Sequence, residues 1–317
     1  MRHSVIVVSW NAGPVLDRCL RSIEQQEVDG GLETIVVDNA STDETPAVLA
    51  RHGDRIRVIR NEENLGFSGG NNQGAAAASG EVLHFLNSDT ELLQRDALQR
   101  LADALEESGA GLVGPHLVNP DGTLQPSCAG HPTVTRALVV NSGLHRLLPN
   151  RALARIFPPH WSHDESREVD WVVGAALTVR AELFRAVGGF WPLQYTEEQD
   201  LAWKLAERGS TVRYVHDVRV LHIRNFSNRQ RWSEPERAAR MAQAELAFLA
   251  KHYSRPRRAA IRLLTLLGHA ARSPILRVLG RTERADVYRA MARVYLRSKN
   301  SVTDSATQST ISSVKPG

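Results

Sequence analysis

Cysteine is nearly missing from this 317-residue chain: Cys19 and Cys128 are all there is. Two thiols build neither a disulfide framework nor a cysteine-rich zinc site, and a reducing compartment suits them. Long hydrophobic runs are missing too. The first apolar stretch, Val5 to Val8, is far too short for a membrane span or the core of a signal peptide. The expectation is a cytoplasmic protein without a transmembrane helix. No Gly-x-Gly-x-x-Gly follows the first strand signal, where a dinucleotide-binding protein keeps it, which disfavours hydride transfer. No groove pattern of interleaved aromatic and basic residues occurs, which argues against a nucleic-acid partner.

What is present is a globular composition, with 42% hydrophobic residues, enough for a core. Strand and helix signals alternate. Ser4 to Ser9, Glu33 to Val37, Ile56 to Arg60 and Val82 to Leu86 read as strands. Val15 to Gln25, Thr45 to His52 with Thr42 as N-cap, Asn71 to Ser79 and Asp96 to Ser108 read as helices. Such β-α-β repetition predicts a mostly parallel sheet with helices on both faces. Residues 115–170 are irregular. Trp171 to Val179 then reads as one strand, Ala181 to Val187 and Leu201 to Arg208 as helices, Val212 to Tyr214 and Arg219 to His222 as two short strands, and Glu234 to Tyr253 as a closing helix.

The strand ends are polar where strands of an open α/β sheet meet their ligands. The first ends in Ser9-Trp10-Asn11 and the second in Asp38-Asn39-Ala40-Ser41-Thr42-Asp43. The fourth runs from "LHFL" straight into Asn87-Ser88-Asp89. These side chains suit a base, a sugar or a cation, and they equally suit turns and helix caps.

Four segments occur in order: "IVVDNASTDET", "NEENLGFSGGNNQG", "FLNSDTE" and "YTEEQDLAWKLAERG". Together they resemble the family 2 glycosyltransferases of GT-A fold, in the branch of the bacterial rhamnosyl- and galactofuranosyltransferases, over residues 4 to about 250. The resemblance implies a Rossmann-like, mostly parallel mixed sheet flanked by helices. It assigns the nucleotide-sugar to Ser9, Trp10, Asn11, Asp38, Asn39, Ser41 and Asp43, and to the loop Asn64, Gly66, Phe67, Gly70 and Asn71, whose glycines would let backbone N–H groups approach a diphosphate. It makes Asn87-Ser88-Asp89 a relative of the Asp-x-Asp metal triplet, with one acid replaced by an amide. Asp89 and the late His222 would then hold Mg²⁺ or Mn²⁺, with phosphate oxygens filling other positions. Asn87 and Ser88 would face sugar or ribose; Arg224 and Ser227, near His222 in the sequence, are placed to reach phosphate, though a solvated surface explains an Arg equally well. Glu198 corresponds to the base that deprotonates the acceptor hydroxyl in an inverting transfer, with Glu197 and Asp200 as alternates. Gly174 and Ala175 would leave room for the sugar. Trp171 would stack on an acceptor ring or sit in the core.

The implied function is hexosyl transfer from a nucleotide-diphosphate sugar, first deoxythymidine diphosphate rhamnose, to a cell-surface glycan or lipid-linked acceptor. A sugar-phosphate nucleotidylyltransferase is the rival within the same fold, but it needs a Gly-rich basic loop after the first strand, and Ser9 to Pro14 is not one. A non-catalytic glycan-binding protein is the other rival, and it would have lost the acids that Asp89 and Glu198 retain.

Charge divides the chain. Residues 1–254 hold 26 Lys/Arg against 32 Asp/Glu, and residues 255–299 hold 12 against 2. In 283–297, Arg289, Arg293 and Arg297 recur every four residues opposite Val287, Ala290, Met291 and Val294, a basic amphipathic helix. We therefore expect a catalytic domain at 1–254, a helical extension at 255–299 and a disordered tail at 300–317. The extension would meet an anionic membrane at the inner face of the plasma membrane, its own domain, or a second copy in a homo-oligomer.

Overall fold

A computed structural model of the protein describes residues 1–147, 161–223 and 232–297. Arg224, Ser227 and the expected tail lie outside the described residues. The described residues divide into two compact units, 1–131 with 161–223, and 132–147 with 232–297.

The first unit is built on one mixed sheet. Its strands are β1 (His3–Ser9), β2 (Leu32–Asp38), β3 (Arg57–Arg60), β4 (Val82–Asn87), β5 (Thr90–Leu92), β6 (Leu112–Val118), β7 (Leu124–Gln125), β9 (Arg167–Val169), β11 (Ala176–Arg180) and β12 (Val212–His222), while β8 (Cys128–Ala129) and β10 (Trp171–Val172) form a separate pair. The order β3-β2-β1-β4-β11-β6-β12-β5 places β1 at the centre of a parallel half. β11 then enters antiparallel between β4 and β6, and β12 runs parallel to β6. The central strands are covered on both faces, which is why they read as near-continuous apolar runs. Val5 and Val7 pack on Leu16 and Leu20 of α1 (Gly13–Glu24), whereas Ile6 points to the other face with Phe85, Phe184 and Phe190. Odd and even residues of one strand thus feed two cores.

Several elements begin or break away from their expected places, and each shift falls next to the polar strand ends. Helix α2 (Thr45–His52) has no side-chain cap from Thr42; Asp43 instead accepts from Thr45 N at 2.9 Å and Gly13 N at 3.1 Å, tying the starts of two helices together. The glycine-rich segment is helical, because α3 spans Gly66–Ala77 and starts five residues before the expected Asn71. Its glycines serve close approach: a Cβ on Gly70 would meet Val8 at 2.8 Å, and one on Gly74 would meet Ile6 at 2.5 Å. The expected strand Trp171 to Val179 is two strands broken at 173–175, and the two short strands near 212–222 are one, with a register shift between Val215 and Arg219. Helix α4 (Ala97–Ser108) ends on left-handed Gly109. Helix α6 (Ala181–Ala186) follows β11, and the next helix begins at Glu197, four residues ahead of expectation.

The second unit is helical: α5 (Val134–Asn141), then, after α7 (Glu197–Ala206) of the first unit, α8 (Glu234–His252), α9 (Arg255–Val278) and α10 (Thr282–Arg297). Ser233 and Glu236 close a capping box at the start of α8. Ala242 and Leu246 of α8 pack on Tyr295 of α10. Composition alone would divide the chain at 254; α8 instead groups with the helices that follow it.

Candidate active site

The carboxyl ends of β1 and β4 and the start of α7 enclose a cavity of about 300 Å³ in the first unit. Of the residues singled out from sequence, it is lined by Trp10, Asn39, Asn64, Gly66, Phe67, Asn87, Ser88, Asp89, Gly174, Ala175, Glu197, Glu198 and His222. Asp89 and His222, 133 positions apart in the chain, meet here because β5, immediately after Asp89, pairs antiparallel with the end of β12, with Thr90 opposite His222. That register sets His222 Nε2 3.4 Å from Asp89 Oδ1.

The remaining residues singled out do not line the cavity. Ser9 is buried beside Asp38 in the β1–β2 register, and Asp38 Oδ1 accepts from Ser41 N at 3.1 Å. Asn11 adopts a left-handed conformation (φ 49) that Asn tolerates well. Its Oδ1 accepts from Thr42 N at 2.8 Å, and its own N–H donates to Ser41 Oγ at 3.0 Å. These residues and Asp43 therefore shape the two loops that carry Trp10 and Asn39 to the cavity. Gly70 and Asn71 are buried inside α3, so they position that helix and present no loop N–H to a ligand. Asp200 is fully buried and ion-paired with Lys204 at 3.0 Å. Trp171 packs against the core under the sheet.

Glu197 and Glu198 open α7, where a negative charge suits the positive end of the helix. Glu198 Oε1 accepts from Gly174 N at 3.3 Å. The break between β10 and β11 exposes that N–H, and a Cβ on Gly174 would come within 3.2 Å of Phe67 and 3.5 Å of the Glu198 carboxyl carbon. Burial raises the pKa of Glu198. Burial, then the neighbouring Glu198 charge, pushes that of Glu197 well above the usual carboxylate range. Among the described residues, Glu197 Oε2 finds no hydrogen-bond partner, and it is buried. Both acids are thus held above the ordinary carboxylate range, and the Gly174 N–H favours the ionised form of Glu198, the form a general base needs.

Among the described lining residues there is no Lys or Arg, while Asp89, Glu197 and Glu198 are all present. A diphosphate entering this cavity would meet the Asp89 carboxylate and no cationic side chain among the described lining residues, an arrangement that a divalent cation would suit. Asp89 and His222 fit one: a carboxylate oxygen and an imidazole nitrogen face each other, and phosphate oxygens can complete a Mg²⁺ or Mn²⁺ shell. No group of three His, Cys, Asp or Glu that could hold a metal ion occurs among the described residues, so within them the two side chains brought together here are Asp89 and His222.

Gln125, Pro126, Val173, Gln194 and Tyr195 also line the cavity and escaped the sequence reading. The first three lie in or beside two-residue strands that carry no periodicity. Tyr195 is left-handed (φ 82), rare for a bulky residue, and turns the chain just before Glu197.

Residues 4–127 match the family described as Glycosyl transferase family 2. The chain is 28% identical over 240 residues to the N-acetylglucosaminyl-diphospho-decaprenol L-rhamnosyltransferase of Mycobacterium tuberculosis, covering 70% of this chain and 76% of that protein. It is 36% identical over 131 residues, 40% of this chain and 42% of the relative, to the GalNAc(5)-diNAcBac-PP-undecaprenol beta-1,3-glucosyltransferase of Campylobacter jejuni. Among solved structures, the mannosyltransferase PcManGT from Pyrobaculum calidifontis in complex with GDP-Man and Mn²⁺ aligns over 93% of this chain and 87% of its own, with a TM-score of 0.60 at 19% identity. The fold is accordingly the GT-A fold.

Proposed function

We propose that this glycosyltransferase of family 2 moves a hexosyl group, rhamnose first, from a nucleotide diphosphate to a hydroxyl of a lipid-linked glycan acceptor, with inversion at the anomeric carbon. The observation that carries the reading is one cavity joining the Glu198 carboxylate to the Asp89–His222 pair. Glu198, held by the Gly174 N–H, takes the acceptor proton as that oxygen attacks; the sugar occupies the space kept open by Gly174 and Ala175. Asn87, Ser88 and Asn39 are placed to orient the donor by hydrogen bonds. A divalent cation held by Asp89 and His222 would neutralise charge on the departing diphosphate. The L-rhamnosyltransferase relative supports rhamnose and a polyprenyl-linked acceptor. Thermal melts against a panel of nucleotide sugars, with and without Mn²⁺, test this: deoxythymidine diphosphate rhamnose should raise the midpoint most, and only with metal. A panel that leaves the midpoint unmoved, or moves it equally after chelation, refutes the donor reading.

The helical unit supports a peripheral membrane location at the cytoplasmic face, as a monomer or homo-oligomer. No described helix is long and apolar enough to cross a membrane. Yet α9 exposes a stripe along its length, with Leu263, Leu267, Ile275 and Val278 all at least 55% accessible. Arg257 and Arg277 flank it at helical spacing. An apolar stripe between arginines suits the boundary of an anionic bilayer. Leu263→Ser with Leu267→Ser is expected to weaken co-sedimentation with phosphatidylglycerol vesicles about tenfold or more. Unchanged vesicle binding, or a shift in oligomeric state without lipid, would assign the stripe to another role.

A further inference from the structure

His222 is held from behind by a chain of hydrogen bonds whose direction is set by main-chain carbonyls. Asn119 Nδ2 donates to Leu124 O at 3.3 Å and to Thr123 Oγ1 at 3.0 Å. A carbonyl only accepts, so the amide nitrogen of Asn119 must face it, and Asn119 Oδ1 faces the other way. Gln125 Nε2 donates to that Oδ1 at 2.8 Å and to the His222 carbonyl at 3.3 Å. Two acceptors therefore fix the orientation of Gln125, and its Oε1 is the atom 2.6 Å from His222 Nδ1. Nδ1 consequently carries a hydrogen and donates it. In the neutral imidazole, Nε2 is then left as a lone pair pointing at Asp89 Oδ1, 3.4 Å away.

A carboxylate oxygen and a ring nitrogen facing each other at that distance are joined either by a proton on Nε2 or, once that proton is displaced, by a cation shared between them. The whole assembly is buried, with Gln125 at 3%, His222 at 6% and Asp89 at 8% accessible, so solvent does little to screen it. Nothing in the local sequence marks Gln125. It comes from a two-residue strand, β7, that pairs with β6 next to β12, and only this pairing brings it under His222.

We propose that Gln125, oriented by Asn119, is the positioning residue that locks His222 in the Nδ1–H tautomer and thereby aims Nε2 as a ligand for a divalent cation shared with Asp89. The proposal rests on the metal reading above, and its test separates the two. The first arm needs no metal. Nitrogen-15 NMR of the histidine rings in the full chain after chelation, with His222 assigned by its loss in His222→Asn, should show the Nδ1–H form. An Nε2–H form would overturn the proposal outright.

The second arm measures Mn²⁺ affinity by electron paramagnetic resonance in the presence of deoxythymidine diphosphate. Gln125→Met, which keeps size and removes the acceptor, should weaken Mn²⁺ about 10–100-fold. Gln125→Glu, which retains an oxygen facing Nδ1, should recover most of that affinity. Asp89→Ala should lose binding altogether. Wild-type affinity in Gln125→Met overturns the positioning role while leaving the cation site standing. Absence of Mn²⁺ binding in the wild type, with the Nδ1–H form still present, overturns the cation reading instead. Should Gln125→Met not fold, the wild-type tautomer alone decides.

Discussion

Glu198→Gln is expected to lower turnover about 10²–10⁴-fold, the contribution of a positioned general base, with little change in donor affinity. Gln keeps the length and still accepts from the Gly174 N–H, so the cavity retains its shape and loses only its proton acceptor. Two pH effects should accompany this. Burial raises the pKa of Glu198 in the folded protein, and the base must be ionised to work, so the acid limb of the wild-type kcat/KM profile should lie above the 4.5 of an ordinary glutamate. A raised folded pKa also means that the stability it confers is complete below about 4.5 and is lost as pH rises through the folded value. Glu198→Gln should therefore melt no lower than wild type at neutral pH, and higher if the burial cost dominates. Full transfer activity in this variant, measured with radiolabelled donor, would remove Glu198 from the mechanism. A collapse in thermal stability would mean a structural role.

Gly74→Val should produce the largest loss of stability. α3 lies so close to the parallel half of the sheet that a Cβ at 74 would stand 2.5 Å from Ile6 and 3.4 Å from Val37, in a fully packed core. One turn earlier, a Cβ on Gly70 would stand 2.8 Å from Val8. Removing a helical glycine returns less than about 1 kcal/mol of propensity, and overpacking costs about 1–3 kcal/mol, occasionally more, so the clash wins. The damage should extend to function. If α3 is forced away from β1, Gly66 and Phe67 at its start move with it, and both line the cavity. Urea denaturation should show a lower midpoint with an unchanged slope, and nucleotide-sugar binding should weaken in the fraction that folds. An unchanged midpoint would show that α3 has room that the packing denies it.

Local chemistry explains why much of this was legible in advance. The apolar strands β1, β2 and β4 announce themselves because both of their faces are buried, and the helices between them because only one face of each is. The polar ends Asn87-Ser88-Asp89 and Glu197-Glu198 stood out because they interrupt those patterns at strand and helix termini. The resemblance to known glycosyltransferases, carried by four segments that include these two, added roles that spacing alone leaves open.

Other features were settled by tertiary contact. By resemblance Gly66 and Gly70 belong to a donor-contacting loop, with a helix expected only from Asn71; packing on β1 overrides the low helix propensity of glycine and extends the helix back to Gly66, a helix that only small residues could bring so near. Asp200 stood beside Glu197 as an alternate to Glu198, but it faces inward to Lys204 while Glu197 and Glu198 face the cavity. Position along α7 separates these acids by a single turn, and the packing of that helix decides which of them meets substrate. Gln125 had no signature at all. Its importance follows from the pairing of β7, β6 and β12, a nonlocal register that no window of sequence contains.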